Sequence, residues 1–254
     1  MKKRKIVIGN WKMNPETLKE AKELNEGIRR KIASIKKAVV VLCPPAIFFG
    51  GLNMKTSSKK FFYGVQNVGK EQNGAYTGEA SVSMAKSFGT TYSIVGHSER
   101  RAMGETDEDT NKKVLLLLKE KMHPVLCVGE QKTDEHAGHL SFIKTQLNKG
   151  LMNVPAAEIG QVLIAYEPLS AIGAKYPITS HEIHQRNIFI KKVLADMYGK
   201  NKAFEIPILY GGSVNADNAK ELVEGGEVDG VLVGRDSLKA ESFLRILKEM
   251  DSLS

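Results

Sequence analysis

At 254 residues, with 42% hydrophobic, 26% charged and 7% aromatic side chains, the chain has the size and composition of a globular protein, not of a disordered or fibrous one. Thirty-seven Lys and Arg against 29 Asp and Glu leave a formal charge of +8, but Lys2, Lys3, Arg4 and Lys5 hold half of that excess in one N-terminal stub. No basic stripe interleaved with aromatics accompanies it, which argues against a nucleic-acid partner. The uncharged stretch 38–53 is broken by Pro44-Pro45 and Gly50-Gly51 and is too short to span a bilayer, so no membrane role is expected.

Taken in chain order, short β-branched-rich runs alternate with longer, helix-patterned segments. The first run, 5–9, ends in Gly9-Asn10-Trp11-Lys12. A helix is expected to start at Asn14-Pro15, with Asn14 as N-cap and proline at the first helical position. Behind it Leu18, Ala21, Leu24, Ile28, Ile32 and Ile35 recur at three- and four-residue spacing. Further runs follow at 39–43, 61–65, 91–96, 124–128, 162–166, 206–210 and 229–233. Between them, Thr106 with Asp109 reads as a capping box ahead of a helix carrying Val114 to Leu118. Asn215 reads as the cap of a helix through Leu222 and Val223 that stops at Gly225-Gly226, and a last helix is expected from Leu238 to Met250.

The runs are continuously apolar, the signature of parallel strands buried on both faces. Eight strand–helix units belong to the α/β class and fit either a closed barrel or an open doubly wound sheet. The first run is not followed by Gly-x-Gly-x-x-Gly, and no linker or composition shift marks a second domain. The expectation is therefore a single (β/α)8 barrel domain over 1–254. Cys43 and Cys127 each lie in an apolar run and read as buried, reduced thiols; with no secretion signal visible, a soluble cytoplasmic protein is expected.

In such barrels the active site forms at the C-terminal ends of the strands. There the sequence places Asn10, Lys12, His97 and Glu167, and glycine-rich turns at Gly211-Gly212-Ser213 and Gly234-Arg235 follow the last two strands. Backbone N–H groups of such turns commonly hold phosphate. Residue chemistry alone thus points to a small phosphorylated substrate and a carboxylate or histidine acting as acid or base. His181-Glu182-Ile183-His184, and His136 with His139, lack the four-residue spacing of a helical zinc pair and read as exposed helix faces.

The same strand ends carry seven motifs in order. These are Gly9-Asn10-Trp11-Lys12-Met13-Asn14, Leu42-Cys43-Pro44-Pro45, Gly74-Ala75-Tyr76-Thr77-Gly78-Glu79 and Gly96-His97-Ser98-Glu99-Arg100-Arg101. Leu126-Cys127-Val128-Gly129-Glu130, Ala165-Tyr166-Glu167-Pro168 and Tyr210-Gly211-Gly212-Ser213-Val214-Asn215 complete the set. In this the chain resembles the triosephosphate isomerase family, whose fold is the TIM barrel, from residue 6 to about 240. The resemblance implies interconversion of dihydroxyacetone phosphate and D-glyceraldehyde 3-phosphate with no cofactor and no metal. It implies Glu167 as general base, His97 as neutral electrophile, Lys12 as stabiliser of the enediolate and phosphate, and Asn10 as a holder of substrate oxygens. It implies phosphate binding by backbone N–H groups near Gly173, Ser213, Gly234 and Arg235, and a lid over 168–178. It also implies a homodimer through the loop from Gln66 to Glu79, with Thr77 reaching the partner.

Two departures stand out. The lid has Ser170 where the family usually has tryptophan, and Lys175 in place of its second tip glycine, with Pro177 beyond. Arg235 takes the place of a second glycine; its backbone amide is retained, while its side chain either strains the turn or adds a contact to phosphate. The rival to an active isomerase is a phosphate-binding barrel that has lost turnover through its altered lid.

Overall fold

The computed structural model describes residues 4–56, 58–130, 138–169 and 178–254. Eight parallel strands close into a barrel in sequence order. They are β1 (Ile6–Asn10), β2 (Val39–Cys43), β3 (Phe61–Val65), β4 (Tyr92–Val95), β5 (His123–Val128), β6 (Leu163–Tyr166), β7 (Ile208–Tyr210) and β8 (Gly230–Val233). Closure is made by β8 against β1, with Ile6 in register with Gly230 on one side and with Val39 on the other.

Each strand buries both faces, which is why its sequence is apolar without alternation. One set of residues, including Ile8, Val41, Ile94, Val125, Leu163, Leu209 and Leu232, fills the barrel interior. The alternate set, including Val7, Val40, Leu126, Ile164 and Val231, packs outward with the helices. Burying each such side chain contributes roughly 1.5–3 kcal/mol relative to exposure.

The outer ring comprises α1 (Leu18–Ile32), α2 (Val82–Ser87), α3 (Ser98–Ala102), α4 (Asp107–Lys119), α5 (Gly138–Gly150), α6 (Ser180–Tyr198), α7 (Lys200–Glu205), α8 (Ala219–Gly225) and α9 (Ala240–Leu253). After β2 the crossover, among the described residues, carries only a 3-10 turn, Ala46–Gly51, which follows Pro44-Pro45 and ends on Gly50-Gly51. Among the described residues no helix is long and apolar enough to cross a membrane.

Several boundaries differ from the sequence reading. Helix α1 starts at Leu18, not at Asn14-Pro15: Thr17 is its N-cap, and Thr17 with Glu20 satisfies two backbone N–H groups reciprocally. The capping box of Thr106 and Asp109 is present on α4. Asn215 acts one turn early, its side chain accepting from the N–H groups of Asp217 and Asn218, and α8 begins only at Ala219. Strand β7 begins at Ile208 because Pro207 has no N–H for the ladder. The last helix begins at Ala240, after a separate 3-10 turn over Arg235–Leu238.

Candidate active site

Strand parity builds the site. Side chains at i and i+2 share a face, so the inward positions Ile8, Ala165, Leu209 and Leu232 carry on to Asn10, Glu167, Gly211 and Gly234 at the barrel mouth. These four residues, with Lys12, His97, Ser213 and Arg235, line one cavity of about 700 Å³. Glu167 is 3% exposed, and His97 and Asn10 5% each.

Glu167 is held where β6 ends. Its N–H donates to the Val128 carbonyl at 2.8 Å, and the next ladder bond runs from the Gly211 N–H to the Tyr166 carbonyl. Glycines flank it closely: a β-carbon on Gly129 would lie 2.0 Å from the Glu167 carbonyl oxygen, and one on Gly211 2.6 Å from Glu167 Cγ. Glu167 Oε1 faces His97 Nε2 at 3.2 Å, while Oε2 is buried and has no hydrogen-bond partner among the described residues.

His97 is placed by the turn after β4. Gly96 adopts φ 66°, a left-handed conformation that glycine takes without strain, and the chain then enters α3 with His97 as N-cap. The Glu99 N–H donates to His97 Nδ1 at 3.1 Å, so that nitrogen offers a lone pair. Burial works against an imidazolium here, but the Glu167 carboxylate, by attraction and by direct contact, outweighs it and displaces the His97 pKa upward. The Glu99 N–H fixes the tautomer of the neutral ring: Nδ1 accepts, and the proton on Nε2 faces the Glu167 oxygen.

Lys12 sits at φ 53°, in the left-handed region that costs a non-glycine residue about 1–3 kcal/mol. Its N–H donates to Asn10 Oδ1 at 3.0 Å, and Gln66 Nε2 donates to its carbonyl at 2.8 Å and to that of Cys43 at 2.8 Å. Its ammonium meets Glu99 Oε1 at 2.6 Å. The sequence reading placed Gln66-Asn67 after the third strand but missed Gln66 as a support of the site, since an amide after an apolar run carries no signal of its target.

Cys127 faces inward beneath the site and is a free buried thiol, as is Cys43. Burial first, and then the Glu167 carboxylate, hold the Cys127 pKa well above the ordinary thiol value, which rules out a ready nucleophile. The 3-10 turn that starts at Arg235 is pinned by Ser237, whose N–H and hydroxyl both donate to the Gly234 carbonyl. Arg235 is not at positive φ, so its side chain does not strain the turn. Gly173 and most of the expected lid lie outside the described residues.

A barrel with a buried carboxylate set against an imidazole at one mouth and glycine turns beside it defines an α/β-barrel enzyme for a small polar substrate. The family model for triosephosphate isomerase matches residues 5–250. The chain is 40% identical over 250 residues to a triosephosphate isomerase of Alkaliphilus oremlandii, covering 95% of this chain and 98% of that one. It is 41% identical over 244 residues to that of Roseiflexus castenholzii, covering 95% and 96%, and 39% identical over 247 residues to that of Moorella thermoacetica, covering 96% and 98%. The chain belongs to the triosephosphate isomerase family, and it is an isomerase that interconverts triose phosphates.

Proposed function

We propose that Glu167 is the base that moves the proton between the two adjacent substrate carbons. The observation that carries this is the buried Glu167 carboxylate, with one oxygen 3.2 Å from His97 Nε2 and the other without a hydrogen-bond partner among the described residues. A carboxylate shielded from water is the better base, and an oxygen without a partner is available to a substrate C–H. Glu167 takes the proton from C1 of dihydroxyacetone phosphate, and the C–H electron pair forms the enediolate as the carbonyl oxygen gains charge. The His97 Nε2–H and the Lys12 ammonium are the donors that meet this charge, with the Asn10 amide alongside. The hydroxyl proton on O1 passes to O2 by way of His97 Nε2, and return of the proton from Glu167 to C2, as the C1–O1 carbonyl forms, gives D-glyceraldehyde 3-phosphate. When a substrate oxygen replaces Glu167 at Nε2, the part of the upward pull on His97 that comes from direct contact with Glu167 is removed, which favours its neutral form as donor.

The phosphate is assigned to the backbone N–H groups near Gly173, Ser213, Gly234 and Arg235. A coupled assay of glyceraldehyde 3-phosphate isomerisation, run beside Glu167→Asp, tests the assignment. Turnover in the wild type that falls at least a hundredfold in the variant is expected. Turnover unchanged in Glu167→Asp overturns the role of Glu167.

A homodimer through the loop 66–79 belongs to the same proposal. That loop is exposed from Gln72 to Glu79, and Tyr76, Met84 and Met103 line a cavity of about 390 Å³ beside it. Met13, next to the site, is 94% exposed. Apolar side chains left in water around one loop are those a second copy covers. Light scattering showing a monomer at micromolar concentration would overturn this. A cytoplasmic location is the reading that two free thiols favour.

A further inference from the structure

We propose that the guanidinium of Arg235, and not only its backbone N–H, is a ligand of the substrate phosphate; this rests on the reading that the turns after β7 and β8 take that phosphate. Among the described residues, four charged side chains beside His97 line the cavity: Lys12, Glu167, Arg235 and Asp236. Three have partners. Lys12 is paired with Glu99, Glu167 faces His97, and Asp236 accepts from the Ser242 hydroxyl on α9. Arg235 is exposed, and among the described residues its side chain makes no ion pair and no hydrogen bond.

The turn that carries it lies against Lys12. A β-carbon on Gly234 would stand 3.5 Å from Lys12 Cε, so the arginine next in sequence starts within a side-chain length of the ammonium. Because Lys12 already shares its charge with Glu99, Arg235 is the cavity cation among the described residues whose charge is left for an arriving dianion. A guanidinium supplies that charge, and its planar fork matches two phosphate oxygens at once. The unstrained backbone and the bonds from Ser237 beneath leave the side chain free to reorient over the turn without cost to the fold.

The test uses the full-length protein, its Arg235→Gln and Arg235→Lys variants, and inorganic phosphate as competitive inhibitor at low and at physiological ionic strength. Arg235→Gln should raise KM and the phosphate Ki about tenfold, the scale of one charge-assisted hydrogen bond, with kcat within about twofold of the wild type. Its Ki should also depend less steeply on salt. Arg235→Lys should recover part of the loss, as a point charge without the fork. A Ki and salt dependence equal to the wild type's, or a fall in kcat at unchanged Ki, overturns the proposal. Failure of phosphate to inhibit the wild type overturns it together with the assignment of the phosphate end. Turnover preserved in Glu167→Asp, with phosphate affinity still lost in Arg235→Gln, removes the catalytic reading alone and leaves this one standing.

Discussion

Gly211, on the turn after β7, packs so close to Glu167 that a β-carbon there would sit 2.6 Å from Glu167 Cγ. The neighbour is a side chain, not backbone, so Gly211→Ala is resolved by moving the carboxylate. A displacement on the order of 1 Å at a reacting group costs about a hundredfold in rate. We expect kcat to fall between tenfold and a hundredfold (roughly, on that basis) with little change in melting temperature. A variant that melts far below the wild type but turns over normally would show that the glycine serves the barrel and not the base.

Gln66 supports the strained Lys12 through its carbonyl. Gln66→Ala removes that donor and leaves two carbonyls, of Lys12 and Cys43, without it. Loss of a hydrogen bond at a part-buried acceptor costs about 0.5–1.5 kcal/mol, so KM should rise and kcat fall, together by up to about tenfold in kcat/KM. Steady-state kinetics identical to those of the wild type would show that Asn10 alone holds the Lys12 backbone.

Glu105 and Lys113 form a buried ion pair at 2.6 Å, with side chains 3% and 4% exposed, and Glu105 also receives Arg100 and the Gly96 N–H. Burial alone would raise the Glu105 pKa, but the Lys113 contact, the Gly96 N–H and Arg100 together lower it. A lowered carboxylate stabilises the fold above the unfolded value of about 4.3, and the contribution is lost as pH falls through the folded value. Lys113→Met should cost about 3 kcal/mol in urea unfolding at neutral pH and should flatten the acid limb below pH about 4.3. An acid limb as steep as the wild type's would assign that loss to other carboxylates.

Cys43 and Cys127 are buried thiols whose pKa values are raised, chiefly by burial. Neither should react with iodoacetamide in the native protein at pH 8, and both should react once guanidinium unfolds it. Mass spectrometry of the treated protein reads the outcome directly. Rapid alkylation of Cys127 in the native state would mean that the barrel opens beneath Glu167.

The sequence by itself determined the strand order and the residues that meet at the barrel mouth. Runs such as Val39–Cys43 and Phe61–Val65 are legible to the residue, because a strand buried on both faces has no polar position to blur its limits. Parity along those runs then carries Asn10 and Glu167 inward, and the motifs around them mark the family. Local competition was less legible: Asn14-Pro15 and Thr17 both offer a helix start, and the reciprocal bonds of Thr17 and Glu20 decide for the latter. Only the tertiary structure decided what each polar side chain is set against. Lys12 lies 87 residues from Glu99 and Gln66 54 residues from Lys12, and no period or spacing encodes a pairing made by closing a barrel. The same holds for Gly129 and Gly211, which are glycine because strands β5 and β7 bring them against Glu167 at the end of neighbouring β6, a constraint of space that appears only when three strands lie side by side.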